Sequence, residues 1–373
     1  MNIKTGQNLG AVAVVIGIAA AMGLPSQSMA QGKPDTQSIL KKLEGIPQAA
    51  REKILIEGAK KEGKVVWYTT DAPKPTQIMF KAFRKKYPFI ETQLIRAKSR
   101  AILDRILTET RAGKYFFDLA KTSTETFNYY PVKKVFASYN SPAKSNIPAK
   151  MKGERWASIF TFIRAIGYNS DQVKREDLPK TWNDLLDPKW KGKIMFDPSS
   201  LPEVAILHRR WGQEKAAAYF DKLGKSGNLQ IRRGRTVIAK LLSAGEAPLG
   251  VTVYPYRIER MKKKGAPVDW ALLDPSPGLL QPVSIGRNAP HPYSAALLYD
   301  FIFSKAGQKV YAKMNRVPAD PTVKGRIPRM VSAVKDSRLV LNSTNSTSGD
   351  MRKAVMKILD EKIIKPAFNR KKK

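Results

Sequence analysis

Downstream of the N-terminal segment, apolar and polar positions change repeatedly between two spacings. The run 64–68 is β-rich, and apolar residues then recur at helical spacing through 78–83. The same order follows in a strand-like run at 90–95, a helical face at 103–110 and an apolar run at 116–120. Strands and helices differ in exactly this periodicity. The β-α-β-α-β order predicts a parallel sheet with helices on its faces.

A second block of alternating elements begins near residue 159. The apolar run 159–168 predicts a strand that can cross from one lobe to another. Further strands are predicted at 193–196, 249–254 and 268–273, with helices between them. A helix over 294–314 follows, and Pro, Ser, Thr and Asn then predict an irregular stretch at 320–349. The pattern therefore predicts two α/β lobes.

These patterns give a provisional division of the chain. The predicted parts are a signal peptide at 1–30, the first part of lobe 1 at 47–158, lobe 2 at 159–275, a return to lobe 1 with C-terminal helices at 276–340, and a C-terminal amphipathic helix with a basic tail at 341–373.

The N-terminal segment predicts export. Lys4 precedes an uncharged apolar run at 9–24, and small residues lead to Ala30. This order is typical of a secretory signal peptide, and the apolar run is short for a bilayer span. We expect cleavage after about Ala30 and a periplasmic protein.

Composition narrows the possible functions. The 373 residues carry a formal net charge of +36, no cysteine and two histidines. The absence of cysteine excludes disulfides, thiolate nucleophiles and sulfur-ligated metals. The basic residues are spread along the chain, which favours a solvated basic surface over a nucleic-acid site and leaves steering of anionic solutes as an alternative.

Hydroxyl-rich turns follow three predicted strands. Their residues are Thr69, Thr70 and Asp71, then Thr122, Ser123 and Thr124, and finally Ser199 and Ser200. Each turn alone is typical of a helix N-cap. In open α/β sheets, however, ligands bind outside the carboxyl ends of the strands. Three such turns from two lobes therefore predict a shared binding cleft.

Two tyrosines follow the predicted strand at 249–254. Tyr254 and Tyr256 can stack on a ligand, donate hydrogen bonds or, as phenolates, bind a hard cation such as Fe³⁺. Arg257 and Arg164 can neutralise an anion. Asp118, at the end of an apolar run, is interpreted as a structural partner for an amide or a cation.

Signatures of catalysis are weak. Neither His208 nor His291 has a partner at metal-ligand spacing, and the sequence contains no phosphate-binding glycine loop or nucleophile elbow. We therefore expect no catalytic residue and no resident cofactor.

The sequence resembles the extracellular solute-binding proteins of ABC transporters, in the type II periplasmic binding class near its ferric-iron-binding branch. The matching segments are 63–68, Phe83 with 87–88, 179–193, 265–268 and 289–292. The segment 181–193 is the most specific of them. The resemblance implies two Rossmann-like lobes joined by crossover strands, hinge closure on a solute, and delivery to an inner-membrane permease with its ATPase.

The resemblance also implies a ligand set and shows a departure from it. In ferric-binding relatives a tyrosine pair binds the metal, and Tyr254 matches the first tyrosine. Pro255 holds the adjacent place, Tyr256 lies one residue later, and no histidine follows the first strand. Ferric iron and a small anionic or organic solute both remain open as the cargo, with Tyr254 and Tyr256 as metal ligands only in the ferric case.

Two other functions remain as alternatives. The basic chain can be a surface module that binds anionic envelope polymer, or an enzyme on the same fold. As partners we expect the solute, the permease and its ATPase, with no nucleic acid and a monomeric chain.

Overall fold

The change from helix to strand at Gly63 sets the start of the first sheet. The computed structural model describes residues 35–128, 130–342 and 349–369, so the predicted signal peptide lies outside the described residues. Helix α2 (Gln48–Glu62) ends at Gly63, whose φ of 65° is left-handed, and strand β1 (Lys64–Thr69) begins directly after it. Glycine adopts this conformation without a Cβ penalty, which explains the sharp stop.

Lobe 1 contains the larger sheet, with the strand order β11-β4-β10-β3-β1-β2 and with β12 paired to β10. Its strands are β1, β2 (Glu91–Arg96), β3 (Leu119–Lys121), β4 (Ala157–Ile163), β10 (Ser276–Ile285), β11 (Val317–Pro318) and β12 (Leu339–Asn342). The first three are parallel, as the sequence pattern predicts, whereas β10 runs antiparallel to β3 and β4.

Helices cover the faces of this sheet. They are α1 (Thr36–Lys42), α2, α3 (Pro73–Lys86), α4 (Ser99–Arg111), the short α5 (Thr124–Phe127) and α6 (Val132–Val135), and the later α11 (Pro292–Phe303) and α12 (Lys305–Lys313). Trp67, Phe80 and Phe83 are buried with α11 side chains in one apolar core. Burial of such aromatic side chains is the main source of stability in a chain without disulfides.

Lobe 2 contains a five-stranded sheet in the order β7-β6-β8-β5-β9. The strands are β5 (Ala165–Asn169), β6 (Ile194–Phe196), β7 (Leu229–Ile231), β8 (Leu249–Val253) and β9 (Val268–Ala271). The helices are α7 (Leu201–Trp211), α8 (Gln213–Lys225), α9 (Arg235–Ser243) and α10 (Pro255–Lys262). The sequence pattern predicted β6, β8 and β9 to within two residues at each end, and the predicted run 159–168 covers most of β5, but β7 was not predicted.

The chain passes between the two sheets twice. The sequence predicted one strand at 159–168, but the structure has two strands there, β4 of lobe 1 and β5 of lobe 2. Arg164 is the single residue between them. The return runs from β9 through residues 272–275 into β10. The backbone N–H of Arg164 donates to the carbonyl of Pro277 at 2.9 Å, so the two crossings are hydrogen-bonded to each other.

The predicted irregular stretch at 320–349 is partly wrong. It contains α13 (Pro328–Lys335) and β12, and β12 pairs in parallel with β10. Both elements are short and lie among turn-forming residues, so local sequence signals do not distinguish them from a loop. Residues 343–348 of the stretch lie outside the described residues.

The C-terminal segment packs on lobe 2. It consists of α14 (Gly349–Lys357), a π-helical segment (Ile358–Ile364) and α15 (Lys365–Asn369). Val355, Ile358, Leu359 and Ile363 are buried in the lobe 2 core. The apolar side chains of the C-terminal segment therefore lie against the lobe 2 core.

Asp118 is a structural acceptor, as the sequence suggested. It is fully buried and accepts from the backbone N–H groups of Val66 and His291 at 2.7 and 2.8 Å. The ring Nδ1 of His291 lies 2.9 Å from Oδ2 of Asp118. This hydrogen bond raises the pKa of His291 above its ordinary value. The pair connects β3 to the start of α11.

The raised pKa of His291 predicts a pH dependence of stability. Because the folded protein holds the His291 proton more tightly than the unfolded chain, the free energy of unfolding should fall as pH rises from about 6.5 through the folded pKa. His291→Gln should lose about 1–3 kcal/mol at pH 6, the cost of removing a donor from a buried carboxylate, and less at pH 9. Urea denaturation of both proteins at several pH values measures this, and a pH-independent difference would contradict it.

Gly224 predicts a second effect on stability. A Cβ at this position, near the end of α8, would overlap the carbonyl oxygen of Lys362 in the π-helical segment. Alanine normally stabilises a helix relative to glycine. Gly224→Ala should instead lower the unfolding free energy by about 1–3 kcal/mol, because the C-terminal segment must move away. Denaturant titration measures the sign, and a more stable variant would refute the close packing.

Candidate functional site

The carboxyl ends of the parallel strands of both lobes open into one cavity of about 670 Å³. Thr70 and Asp71 follow β1, Ser123 follows β3, and Ser199 follows β6, and all four line the cavity. Each of the three hydroxyl-rich turns therefore contributes at least one residue to the lining of this cavity.

Four of the predicted site residues lie behind the cavity wall. Thr69, Thr122, Thr124 and Ser200 are buried and are not among the lining residues. Thr69 Oγ1 accepts from the N–H of Asp71 at 3.1 Å, and the Thr124 hydroxyl donates to the carbonyl of Leu280 at 2.7 Å. The Ser200 hydroxyl donates to the carbonyl of Asp197 at 2.6 Å. These hydroxyls hold the turns in shape, because buried polar groups need such partners.

Aromatic rings form one wall of the cleft. Tyr254 and Tyr256 line it together with Phe162 from β4, and the two tyrosine rings have centroids 5.5 Å apart. Pro255 lies between the tyrosines at the first position of α10. Both rings contact Phe162, at 5.1 and 5.7 Å between centroids. The wall thus joins a lobe 1 strand to a lobe 2 helix.

Arginine side chains pack on these rings. The Arg164 guanidinium lies 4.2 Å from the Tyr254 ring centroid, and that of Arg316 lies 3.7 Å from the Tyr256 centroid. The Arg257 guanidinium is 5.3 Å from the same Tyr256 ring. Cation–π contacts of this kind hold a guanidinium in place without neutralising its charge. Each arginine can therefore still attract an anion.

Arg164 combines a hinge position with a buried charge. It is 5% exposed, and its Nε lies 3.6 Å from Oε1 of Glu203, which is 1% exposed. Neither the Arg164 Nε nor the two Glu203 oxygens has a hydrogen-bond partner within the described chain. Glu203 thus supplies an opposing charge from the first turn of α7 but leaves the hydrogen-bonding capacity of Arg164 incompletely used.

Lys121 brings a positive charge to the lobe 1 side. It is the last residue of β3, and its Nζ donates to Asp71 Oδ1 at 2.7 Å and to Thr70 Oγ1 at 3.1 Å. The ammonium group is almost fully buried. Asp71 is therefore already paired with a cation, which leaves it poorly suited to hold a metal ion.

A second buried pair supports the Ser199 turn. Arg235 donates to the hydroxyl and the carbonyl of Ser199, each at 3.0 Å, and lies 3.7 Å from Asp197. Burial lowers the pKa of the Arg235 guanidinium, and the nearby Arg164 lowers it further. Burial alone would raise the pKa of Asp197, but Arg235 and the hydrogen bonds from Ser199 and Gly234 outweigh it, so this pKa lies below its usual value.

Sequence reasoning missed several lining residues. These are chiefly Arg96, Lys121, Arg260, Gln281, Arg316 and Arg352. Arg96 and Lys121 are the last residues of β2 and β3, so the strand-end argument that selected the turns could have found them. Arg260 lies three residues after Arg257 on α10, on the same helix face. Arg316 and Arg352 carry no local signal and are brought in by tertiary packing.

Positive charge dominates the lining. Among the residues that the structure describes, seven cationic side chains and one carboxylate, Asp71, face the cavity. No group of three or more His, Cys, Asp or Glu side chains is placed to hold a metal ion within residues 35–128, 130–342 and 349–369. A concave site with this lining can bind an anion without any covalent step.

Comparison with known proteins identifies the family. The sequence profile of bacterial extracellular solute-binding proteins matches residues 116–337. The chain belongs to this family. The relatives are binding proteins of transporters, and this solute-binding protein is likewise not an enzyme.

Individual relatives cover most of the chain. An uncharacterised protein of Haemophilus influenzae is 28% identical over 270 residues, which cover 68% of this chain and 76% of the relative. Iron uptake protein A1 of Synechocystis is 26% identical over 249 residues, with coverage of 61% and 67%. The sequence-based placement near the ferric-iron-binding branch is confirmed.

The solved structures confirm the fold class. The periplasmic binding protein AfuA of Actinobacillus pleuropneumoniae, solved with fructose 6-phosphate, superposes with a TM-score of 0.63. It is 23% identical and covers 81% of this chain and 99% of its own. The solute-binding protein therefore has the predicted type II arrangement of two lobes. Among its described residues, no helix has the length and apolar character needed to cross a membrane.

Proposed function

We propose that this protein captures a small organic oxyanion, of the phosphate or phosphonate ester class, in the cleft between its lobes. It acts in the periplasm and delivers the solute to an inner-membrane permease driven by an ATPase. The observation that carries the proposal is the excess of cationic side chains around the cavity.

Four of these cations have no neutralising carboxylate among the described residues. Lys121 pairs with Asp71, and Arg164 lies near Glu203. Among the described residues, by contrast, no ion pair forms at Arg96, Arg257, Arg260 or Arg316. The Nε of Arg257 and one terminal nitrogen of Arg316 are also buried without a hydrogen-bond partner. Unsatisfied buried donors cost stability, and an oxyanion between the lobes would satisfy them.

The size and polarity of the cleft support an organic solute. Its volume of about 670 Å³ lies in the usual range for small-molecule sites and far exceeds the volume of a single inorganic ion. Thr70, Ser123, Ser199 and Gln281 add neutral polar groups that can hydrogen-bond to hydroxyls, while the aromatic wall can pack on a carbon skeleton. The structure of AfuA with fructose 6-phosphate supports the same solute class.

Hinge closure follows from the position of the lining residues. Lys121 and Arg96 belong to lobe 1, whereas Arg257 and Arg260 belong to lobe 2. A solute that contacts both sets binds the closed arrangement better than the open one and therefore shifts the population toward it.

Ferric iron is the second candidate cargo. Tyr254 and Tyr256 both line the cleft, and a curated relative is an iron uptake protein. A trivalent cation would, however, lie among several guanidinium groups and a carboxylate already paired with Lys121. Like charges that share one partly desolvated site repel each other strongly. Iron would therefore need to enter together with a polyanion that neutralises the arginines.

Arg257→Gln tests the anion proposal. Hydrogen bonds to charged groups contribute about 1.5–3 kcal/mol, so this variant should bind fructose 6-phosphate or 2-aminoethylphosphonate at least tenfold more weakly than wild type. Isothermal titration calorimetry measures the affinities. Lys263→Gln, an equal change of charge at an exposed residue outside the cavity lining, is the matched control and should lose less than about twofold.

The control separates a site contact from the overall field. Equal losses in both variants would attribute binding to net charge alone. Absence of binding by the wild-type protein to phosphorylated and phosphonate solutes would refute the proposed solute class.

The double variant Tyr254→Phe, Tyr256→Phe distinguishes iron from an organic anion. Phenylalanine retains the ring that packs on the arginines but cannot ligate iron. Anion affinity should therefore fall by less than about tenfold, the effect of neutral hydrogen bonds. Metal-free wild-type protein titrated with ferric citrate should show no visible ferric–phenolate absorption. A coloured complex that is lost in the double variant would favour iron.

A further inference from the structure

Side chains alternate between two sides where the chain crosses from β4 to β5. Phe162 and Arg164 line the cleft cavity. Ile163 and Ala165, which alternate with them, are instead buried in the apolar cluster that contains Met330 of α13. Successive side chains of an extended chain point to opposite sides. Helix α13 therefore lies on the side of this crossing that faces away from the cleft.

Helix α13 belongs to lobe 1, but one of its side chains binds lobe 2. The helix packs against β4, β11 and β12 of the lobe 1 sheet. Arg329, in its first turn, donates to Oδ1 of Asp269 at 2.8 Å and to the carbonyl of Trp270 at 3.0 Å, and both acceptors belong to β9 of lobe 2. The same guanidinium lies 3.6 Å from Oε1 of Glu259 in α10. Arg329 thus connects the lobes at a place apart from the chain crossings.

The acceptor Asp269 is charged and held in place by lobe 2. Lys262 donates to its Oδ2, and the backbone N–H of Trp270 donates to its Oδ1, each at 2.8 Å. Burial alone would raise the pKa of Asp269, but the hydrogen bonds from Lys262, Arg329 and Trp270 outweigh it, so this pKa lies below its usual value. Glu259 accepts from Nε1 of Trp270 at 2.7 Å. Arg329 therefore binds carboxylates that are fixed to lobe 2.

A rotation about the crossings moves the two sides of the hinge in opposite directions. A rotation that narrows the cleft separates the lobes on the side where α13 lies. On that side a groove of about 330 Å³ is lined by Arg329, Trp270 and Leu272 together with other residues of α13 and β9. Closure would therefore lengthen the contacts of Arg329 with β9 and α10. The free energy lost there must come from binding of the solute.

We propose that Arg329 is a latch that opposes hinge closure, so that it keeps the cleft open and lowers the affinity for the solute. Arg329 does not line the cavity, so it is a positioning residue and not a solute contact. The predicted effect on affinity rests on the proposed function, whereas the effect on the arrangement of the lobes does not.

The distance between the lobes tests the latch without any solute. The chain has no cysteine, so two introduced cysteines provide selective sites for spin labels. Lys98 and Arg233 are exposed and follow the edge strands β2 and β7, which lie far from the crossings in their sheets. In the double variant Lys98→Cys, Arg233→Cys, adding Arg329→Gln should shift the distances measured by double electron–electron resonance to shorter values. Arg329→Lys, which keeps the charge, should recover part of this shift.

Calorimetry tests the effect on solute affinity. With fructose 6-phosphate or 2-aminoethylphosphonate as the probe, Arg329→Gln should bind about threefold more tightly than wild type or better, because closure no longer breaks the latch. An arginine that only stabilises the fold would produce weaker binding or no change. An increase in affinity from loss of a residue outside the cavity is therefore specific to the latch.

Arg326→Gln is the matched control. Arg326 is exposed, lies three residues before Arg329, and donates to the carbonyl of Lys313 in lobe 1 at 3.3 Å. This variant makes the same change of charge without touching lobe 2. It should leave the label distances unchanged and the affinity within about twofold of wild type.

The possible results separate the latch from the proposed function. Unchanged or longer distances in Arg329→Gln, or an equal shift in Arg326→Gln, would overturn the latch whatever the protein binds. Shorter distances together with unchanged or weaker solute binding would overturn its effect on affinity. A wild-type protein that binds no phosphorylated or phosphonate solute would refute the proposed function, while shorter distances in Arg329→Gln would still support the latch.

Discussion

The hydrogen bond between the two chain crossings determines where the cleft can lie. Arg164, between β4 and β5, donates its backbone N–H to Pro277 near the start of β10. The crossings are adjacent, and residues that follow β1, β3, β6 and β8 line one cavity. Every contact that a solute can make with both lobes depends on this arrangement.

The cleft must also hold like charges close together. Stacking on Tyr254 and Tyr256 orients Arg164 and Arg316, while Asp71 and Glu203 each lie beside one cation. Aromatic packing orients without neutralising, whereas a carboxylate does both. The balance between these two kinds of contact leaves the lining strongly positive. The same tyrosines that suggested a ferric site from sequence thus serve, in the folded chain, as a support for guanidinium groups.

Local periodicity was sufficient for most of the fold and for part of the site. The helix stop at Gly63, the three parallel strands β1, β2 and β3 and the turns at Thr70, Ser123 and Ser199 all follow from short-range signals. The ten-residue strand β10 was missed, because two prolines and a glycine within it are typical of loops. Its neighbours β3, β4 and β12 stabilise it instead, and a single-sequence pattern does not contain that information. Arg316 and Arg352 reach the cleft for the same non-local reason.

The place of Arg164 has a consequence for how solutes are discriminated by length. In a rotation about the two crossings, atoms are displaced in proportion to their distance from the axis. Arg164 lies on a crossing itself, so in the proposed closure its backbone would move little, whereas α10 and α14 would travel with lobe 2. A solute held at Arg164 that is too short would leave the distant arginines unreached, and one that is too long would hold the lobes apart. The angle of rotation would thereby act as a measure of molecular length.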